Sequence, residues 1–262
     1  MNLLEAAILG LIQGLTEFLP VSSSGHLVIG QALLGVDMGG VTFEVVVHLA
    51  TLCAVLWVYR VRVAELIRGV LGGDRGAWTY TGLLLLASVP AGLAGVLGRP
   101  LFERAFSNPA LAAAMLLVTG ALVWSVRYSA PRASEDMPDA PRSIWIGCAQ
   151  AVAILPGISR SGATVAVGSW LGIEVVQLAE FSFLMSVPAI LGAGLLQLGE
   201  IGQVPGLGAG PLVVGFAVAA VSGVAAIQLF VRTLRSGTFH RFAYYCWTLG
   251  AAYLLGAALL SA

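Results

Sequence analysis

Six stretches of this chain, at about 41–60, 79–98, 110–127, 181–199, 211–231 and 242–261, are each apolar for roughly the length a helix needs to cross a bilayer. A hydrocarbon core of ~30 Å takes ~20 helical residues to span, so these runs predict transmembrane helices. Composition points the same way. The 262 residues are 58% hydrophobic and 10% charged, with mean hydropathy +0.94, whereas soluble domains carry about 25% charged residues. The formal net charge is zero, which leaves no basic surface of the kind nucleic-acid binding requires, so no nucleic-acid partner is expected. Every basic residue is an Arg. Cys53, Cys148 and Cys246 sit singly in apolar runs without metal-ligand spacing, and read as core-filling residues. The N-terminal stretch carries Glu5 and runs on into Gln13 and Glu17 with no basic n-region or small-residue cleavage site, so a cleaved signal is not expected.

Two further apolar stretches, about 3–36 and 144–173, are interrupted near their middles by Leu19-Pro20-Val21-Ser22-Ser23-Ser24-Gly25-His26 and by Pro156-Gly157-Ile158-Ser159-Arg160-Ser161-Gly162. Pro and Gly break helices, and each half is too short to cross. Broken backbone at membrane depth survives only against protein or a wet cavity. Both stretches therefore read as re-entrant helical hairpins with polar tips.

The chain also repeats. A shift of 137 positions carries Gly10 and Gln13 onto Gly147 and Gln150, Ser22-Ser23-Ser24-Gly25 onto Ser159-Arg160-Ser161-Gly162, and Leu34-Gly35-Val36 onto Leu171-Gly172-Ile173. Phe43-Glu44 and Phe181-Ser182 follow at nearly the same offset. Residues 1–127 form a first repeat, 128–143 a polar linker, and 144–262 a second repeat. Each repeat holds one hairpin and three spans. Three is odd, so the second repeat enters the membrane inverted, a plan common among transporters that puts the site at the repeat interface. The expected fold is an all-α polytopic membrane protein of two inverted-topology repeats, with six transmembrane helices and two re-entrant hairpins.

Loop charges give an orientation. With loop 60–77 in the cytoplasm, that side collects Arg60, Arg62, Arg68, Arg75, Arg127, Arg132, Arg142, Arg232, Arg235 and Arg241, and the other side receives Arg99 and Arg104. This is the bias of the positive-inside rule. It puts the linker in the cytoplasm and both termini outside, opens the first hairpin outward and the second inward, and brings the tips together.

Ionisable residues within the membrane are costly and are functional candidates by default. Arg160 lies beside a helix break among Ser159, Ser161, Gly162 and Thr164. Its guanidinium fork matches phosphate, and the break exposes backbone N–H groups at a helix N-terminus; the alternative is a structural pair with a carboxylate. His26 closes the first tip three residues after Ser23. Either Ser23 is the nucleophile and His26 takes its proton, or His26 attacks phosphorus itself. Glu17 and Gln13 share a helical face leading into the tip. Glu17 could hold a divalent cation, act as a base, or neutralise Arg160. The remaining tip residues, Ser22, Ser24, Gly25, Ser159, Ser161, Gly162 and Thr164, are candidates with Gln13 for binding substrate. Glu44, His48 and Thr51 share a stripe on the next span and form either a second layer behind the site or local packing. Glu180 and Gln150 are weaker candidates. Glycine-rich faces elsewhere read as close helix packing and permit a homodimer.

The run from Gln13 through Glu17, Ser22 and Ser23 to His26, with Pro156 through Ser159, Arg160 and Ser161 to Thr164, resembles the undecaprenyl-diphosphatase family of the bacitracin-resistance type. Phe43-Glu-Val-Val-Val-His48 and Glu180-Phe-Ser-Phe-Leu184 also resemble family stretches, and the similarity covers nearly the whole chain. The resemblance implies hydrolysis of undecaprenyl diphosphate to undecaprenyl phosphate and phosphate, recycling the lipid carrier of peptidoglycan synthesis and giving bacitracin resistance. It implies Glu17, Ser23, His26 and Arg160 as the core site, a divalent cation (Mg²⁺ or Ca²⁺), and a site reached from the outer, periplasmic face of the bacterial cytoplasmic membrane. Gln13 departs from many members, which carry a second Glu there. Architecture alone equally suits a transporter or flippase of a lipid-linked phosphate.

Overall fold

The structure, a computed structural model, describes residues 1–34, 41–197 and 208–261. Among the described residues the chain is all helical apart from turns and one isolated bridge. The first half contains α1 (Leu3–Phe18), α2 (Ser23–Leu34), α3 (Val41–Val58), α4 (Arg60–Leu71), α5 (Arg75–Leu97), α6 (Arg99–Phe106) and α7 (Pro109–Ser129). The second contains α8 (Ala140–Val152), α9 (Arg160–Trp170), α10 (Val175–Gln197), α11 (Ala209–Arg235) and α12 (Phe242–Ser261). Among the described residues, α5, α7, α10, α11 and α12 are long and apolar enough to cross a membrane, and α3 passes the same test when taken with α4. The repeat element Leu34-Gly35-Val36 and the last residues of the expected 181–199 span fall partly outside the described residues.

The expected hairpins are present as helix pairs. At 1.5 Å per residue, α1 (16 residues), α2 (12), α8 (13) and α9 (11) are each shorter than a bilayer core. The second pair returns to its own face. Ser134 and Glu135, just ahead of α8, donate their N–H groups to Gly172 O just beyond α9, and Glu174 N returns a bond to Glu135 O. In the first pair α2 runs back along α1, with Gly30 against Ile12.

Two expected loops are ordered differently. Most of 60–77 is helix: α4 turns 77° from α3 and buries none of its residues. Its Val63, Leu66, Ile67 and Val70 recur at helical spacing, with Arg60, Arg62 and Arg68 between or before them, a pattern that suits a helix lying along the membrane surface. Arg62 Nε donates to Glu180 on α10 at 2.9 Å, and Tyr80 OH donates to the same carboxylate at 3.2 Å, so Glu180 ties helices together rather than joining a tip. Residues 99–106 likewise form α6. The linker 128–143 is shorter than its composition suggests. α7 continues to Ser129, Ala130–Arg132 make a 3-10 turn, and Asp139 caps α8 through the N–H of Arg142.

Inversion of the halves is visible in the packing. α7 and α12, the last spans of the two halves, meet antiparallel. Gly120 lies against Trp247 and Gly250 against Leu117 and the Ala113 carbonyl, while Trp124 packs on Tyr244 and His240. Each hairpin is also seated on the other half. α1 packs along α11 and α8 along α5. The repeat-related Gly10 and Gly147 mark the two crossings. A Cβ on Gly10 would meet the Gly215 carbonyl, and one on Gly147 the Ala87 carbonyl. Small residues of this kind let membrane helices approach to backbone contact.

Candidate active site

Both tips are built on one local plan. Ser22 Oγ accepts from Gly25 N (3.3 Å) and Ser159 Oγ from Gly162 N (3.1 Å), so equivalent serines cap α2 and α9. Ser22 Oγ and Ser24 Oγ, like Ser159 Oγ and Ser161 Oγ, lie 3.3 Å apart. Ser22 holds a left-handed backbone (φ +66°), rare for a residue with a side chain, and Gly157 has φ +95°. Left-handed non-glycine backbone costs ~1–3 kcal/mol and gathers where function requires it.

The tips touch, as their opposed entry predicts. Gly157 N donates to Ser22 Oγ at 3.1 Å, Ser161 Oγ to Leu19 O at 3.3 Å, and Gly25 packs directly on Gly157. Each tip is also held by the last span of the opposite half. Thr119 of α7 donates to Gly157 O at 2.7 Å and accepts from Ser159 N at 2.9 Å. Cys246 of α12 donates through sulfur to Pro20 O at 3.5 Å. Pro20 and Gly157 are equivalent under the 137-residue shift, so the two clasps are related by the repeat.

Four side chains of the sequence reading meet around one carboxylate. Glu17 Oε1 accepts from Arg160 Nη2 at 2.8 Å. Glu17 Oε2 accepts from Ser23 Oγ at 2.6 Å and from Gln13 Nε2 at 3.1 Å. His48 Nε2 is 3.8 Å from the same oxygen, so it reaches Glu17 directly. Arg160 Nη1 donates to Ser182 O at 3.2 Å, which fixes the plane of the fork. The Arg160 and Glu17 side chains keep 14% and 9% of their surface exposed. A charge pair so confined is strong in the low dielectric around it.

His26 is oriented differently. Its Nδ1 donates to Ser22 O at 2.8 Å and its Nε2 meets Tyr245 OH at 2.7 Å. The hydroxyl of Ser23 goes to Glu17, so the group placed to take the serine proton is a carboxylate and not the imidazole. Glu44 sits behind His48: its carbonyl takes His48 Nδ1 at 2.7 Å, and its carboxylate accepts from Gln31 Nε2 at 3.4 Å. Thr51 is buried and bonds the His48 carbonyl.

Burial sorts the remaining tip residues. Ser22, Ser159, Ser161 and Thr164 are buried, and their hydroxyls hold the tips to each other and to neighbouring helices; Thr164 Oγ1 bonds Arg160 O and Ser182 Oγ, each at 2.8 Å. Gly25 and Gly162 are buried, whereas Glu17, Ser23, Ser24, His26, His48 and Arg160 are half-buried. Ser182, Thr119, Cys246 and Tyr245 are the contributors that sequence reasoning missed. Only Ser182 had a signal, standing one residue past Phe181 as Glu44 stands past Phe43. Gln150, the repeat equivalent of Gln13, is buried with neither amide atom paired among the described residues.

The arrangement suits a phosphorylated substrate. Two helix N-termini converge on one point and favour an anion there, an Arg fork faces the same space, and a hydroxyl sits on a carboxylate. For a cation, no three His, Cys, Asp or Glu side chains cluster among the described residues. Hard oxygen donors are nevertheless present in Glu17 and in Gln13 Oε1, which is buried and has no hydrogen-bond partner among the described residues. Mg²⁺ is commonly held by one or two carboxylates with substrate phosphates completing the shell, and the residues fit that pattern.

Comparison with known proteins places this geometry. A family profile described as Bacitracin resistance protein BacA matches residues 6–252. An undecaprenyl-diphosphatase of Desulfatibacillum aliphaticivorans is 37% identical over 97% of this chain and 99% of its own length. One from Salinibacter ruber is 41% identical over 94% and 96%, and one from Bacteroides fragilis 42% over 95% and 96%. With the paired tips, the intramembrane Arg160 and a match over nearly the whole length, the chain belongs to the bacitracin resistance protein BacA family.

Proposed function

We propose that this chain is an integral membrane phosphatase that hydrolyses undecaprenyl diphosphate to undecaprenyl phosphate and inorganic phosphate. The observation that carries the reading is the meeting of Ser23, Glu17 and Arg160 within hydrogen-bond distance at two opposed helix N-termini, in a chain whose relatives bear the name undecaprenyl-diphosphatase.

The polyprenyl tail stays in lipid while the diphosphate enters between the tips. Arg160 turns from Glu17 toward the phosphate oxygens, and the N-termini of α2 and α9 add their partial charge. Phosphoryl transfer needs mainly such charge stabilisation and in-line positioning. Ser23 Oγ attacks the terminal phosphorus as its proton passes to Glu17 Oε2, and the bridging P–O bond breaks to release undecaprenyl phosphate. Water then attacks the phosphoserine; its proton passes toward His26, and the leaving Ser23 oxygen recovers its own proton from Glu17. Glu17 and Gln13 Oε1 would hold Mg²⁺ or Ca²⁺. When bound, the ion neutralises charge on the phosphates.

The membrane is the bacterial cytoplasmic membrane, with the site open to the periplasmic face and both termini outside. The Arg distribution supports this orientation, as do the helix directions. α1 runs parallel to α11, pairing Leu3 with Gly210 and Gly10 with Gly215, so the first hairpin enters from the side opposite Arg232 and Arg235.

The test is phosphate release from undecaprenyl diphosphate by purified protein in detergent, with divalent cation supplied. Release by wild type and its loss in Arg160→Ala are expected. A wild-type protein that releases no phosphate but moves the lipid between leaflets of vesicles would replace the enzyme by a flippase, the reading that the inverted repeat alone also favours.

A further inference from the structure

Tyr245 stands on α12 in the second half, yet its hydroxyl lies 2.7 Å from His26 Nε2 in the first tip. The two rings are parallel within 5° with centroids 5.5 Å apart. The other ring nitrogen, Nδ1, faces the Ser22 carbonyl at 2.8 Å. A carbonyl can only accept, so Nδ1 carries the hydrogen. In the neutral ring Nε2 is then bare, and Tyr245 must donate to it.

The position of Tyr245 is itself fixed. Its neighbour Cys246 is anchored on Pro20 O, and Trp247 Nε1 donates to Leu117 O at 3.1 Å. Ser22, the other partner of the ring, is held by its left-handed backbone and its bonds to Gly25 and Gly157. His26 is thus clamped between two rigid partners, one from each half of the molecule. Tyr245 is 48% exposed. The single in-plane lone pair of Nε2 points at its hydroxyl, so a proton reaching His26 from that side passes this oxygen. A phenol hydroxyl donates to a bare nitrogen and, after rotation, accepts from a protonated one. It can accompany both states.

We propose that Tyr245 relays a proton in the hydrolytic half of the reaction: the Ser22 carbonyl holds His26 in the Nδ1–H tautomer, and Nε2 takes the proton of the attacking water by way of the tyrosine hydroxyl. This rests on the phosphatase reading above. No bond to phosphorus involves Tyr245. Water loses one proton, the tyrosine oxygen receives it while passing its own to Nε2, and the imidazolium returns it to solvent after phosphate leaves.

The experiment pairs spectroscopy with kinetics on the full chain in detergent. The chain holds three histidines, His26, His48 and His240, so ¹⁵N-histidine labelling with His26→Gln as the assignment control resolves the ring. In wild type, His26 is expected to show a protonated Nδ1 and a hydrogen-bonded, unprotonated Nε2. In Tyr245→Phe, which keeps the ring packing, the Nε2 resonance moves to higher frequency. kcat for undecaprenyl diphosphate falls about 10-fold at nearly constant KM, and phosphoenzyme accumulates; general acid–base groups are worth ~10²–10⁴-fold in full. Wild-type His26 protonated on Nε2, or a Tyr245→Phe protein with unchanged spectrum and kcat, overturns the proposal. An inactive wild type with the expected spectrum overturns the phosphatase reading instead.

Discussion

Arg160 Nη2 lies 2.8 Å from Glu17 Oε1 across the junction of the two tips, joining residues 143 positions apart in the chain. Each group solves the burial problem of the other, since an unpaired charge at this depth is costly. The pair also keeps the guanidinium in the plane where a phosphate will meet it. An arriving diphosphate must therefore compete with Glu17, and the following expectations turn on that exchange.

Arg160→Ala should lower kcat by about 10²–10³-fold, the usual loss for one oriented donor at developing charge. Arg160→Lys should recover only a small part. A point charge cannot keep the Ser182 carbonyl while it meets two phosphate oxygens, as a planar fork does. Steady-state phosphate release reads both variants, and a lysine variant near wild-type rate would reduce Arg160 to a charge.

Ser23→Ala should abolish turnover and, on rapid acid quench with ³²P-labelled substrate, should abolish protein-bound label. Label that persists in this variant but disappears in His26→Gln would transfer the nucleophilic role to the imidazole. Glu17→Gln should retain the fold and lose at least about 100-fold in kcat, because the amide takes no proton from Ser23.

Thr119→Val removes a hydroxyl that serves two bonds of the second tip and leaves the buried Ser159 N–H without its partner. An unsatisfied buried group costs ~1–3 kcal/mol. Thermal unfolding in detergent should show the loss, and kcat should fall with it because Arg160 is the next residue. Retained stability with full activity would mean that the clasp is incidental.

Gly10→Leu and Gly147→Leu should each destabilise the fold, since each side chain would have to displace a carbonyl of the opposing helix. The two crossings share no neighbour, so the effects should add within about 0.5 kcal/mol in the double variant. Strong non-additivity in thermal melts would argue that the crossings are coupled through the tips.

Chelation should slow phosphate release without lowering thermal stability, because the protein contributes few ligands and the diphosphate supplies the rest. A large fall in melting temperature on chelation would point to a structural ion.

Much of the architecture was legible because its signals are local. Apolar run length gave the spans, Pro20 and Gly157 broke the hairpins, and the 137-residue shift tied the tips together. Arg60, Arg62, Glu65 and Arg68 interrupt the apolar run in α4 and so predict a loop, although its apolar positions recur at helical spacing. Within the site, Arg160, Glu17 and Ser23 stood out as polar groups at depth. Which of them touch was not legible: His26 is three residues from Ser23 yet turns to Tyr245, 219 positions away, while Glu17 takes the serine. Tyr245, Thr119 and Cys246 are lone polar groups in apolar spans. Nothing distinguishes them until the helices pack.

The exchanged seating of the hairpins also sets an order of assembly. α1 is made before α11, its seat, whereas α8 finds α5 already in place. The first tip must therefore wait at the bilayer without Arg160 beside Glu17 until the second half has been inserted. The tip that carries Glu17, Ser23 and His26 is thus made before the helix that seats it.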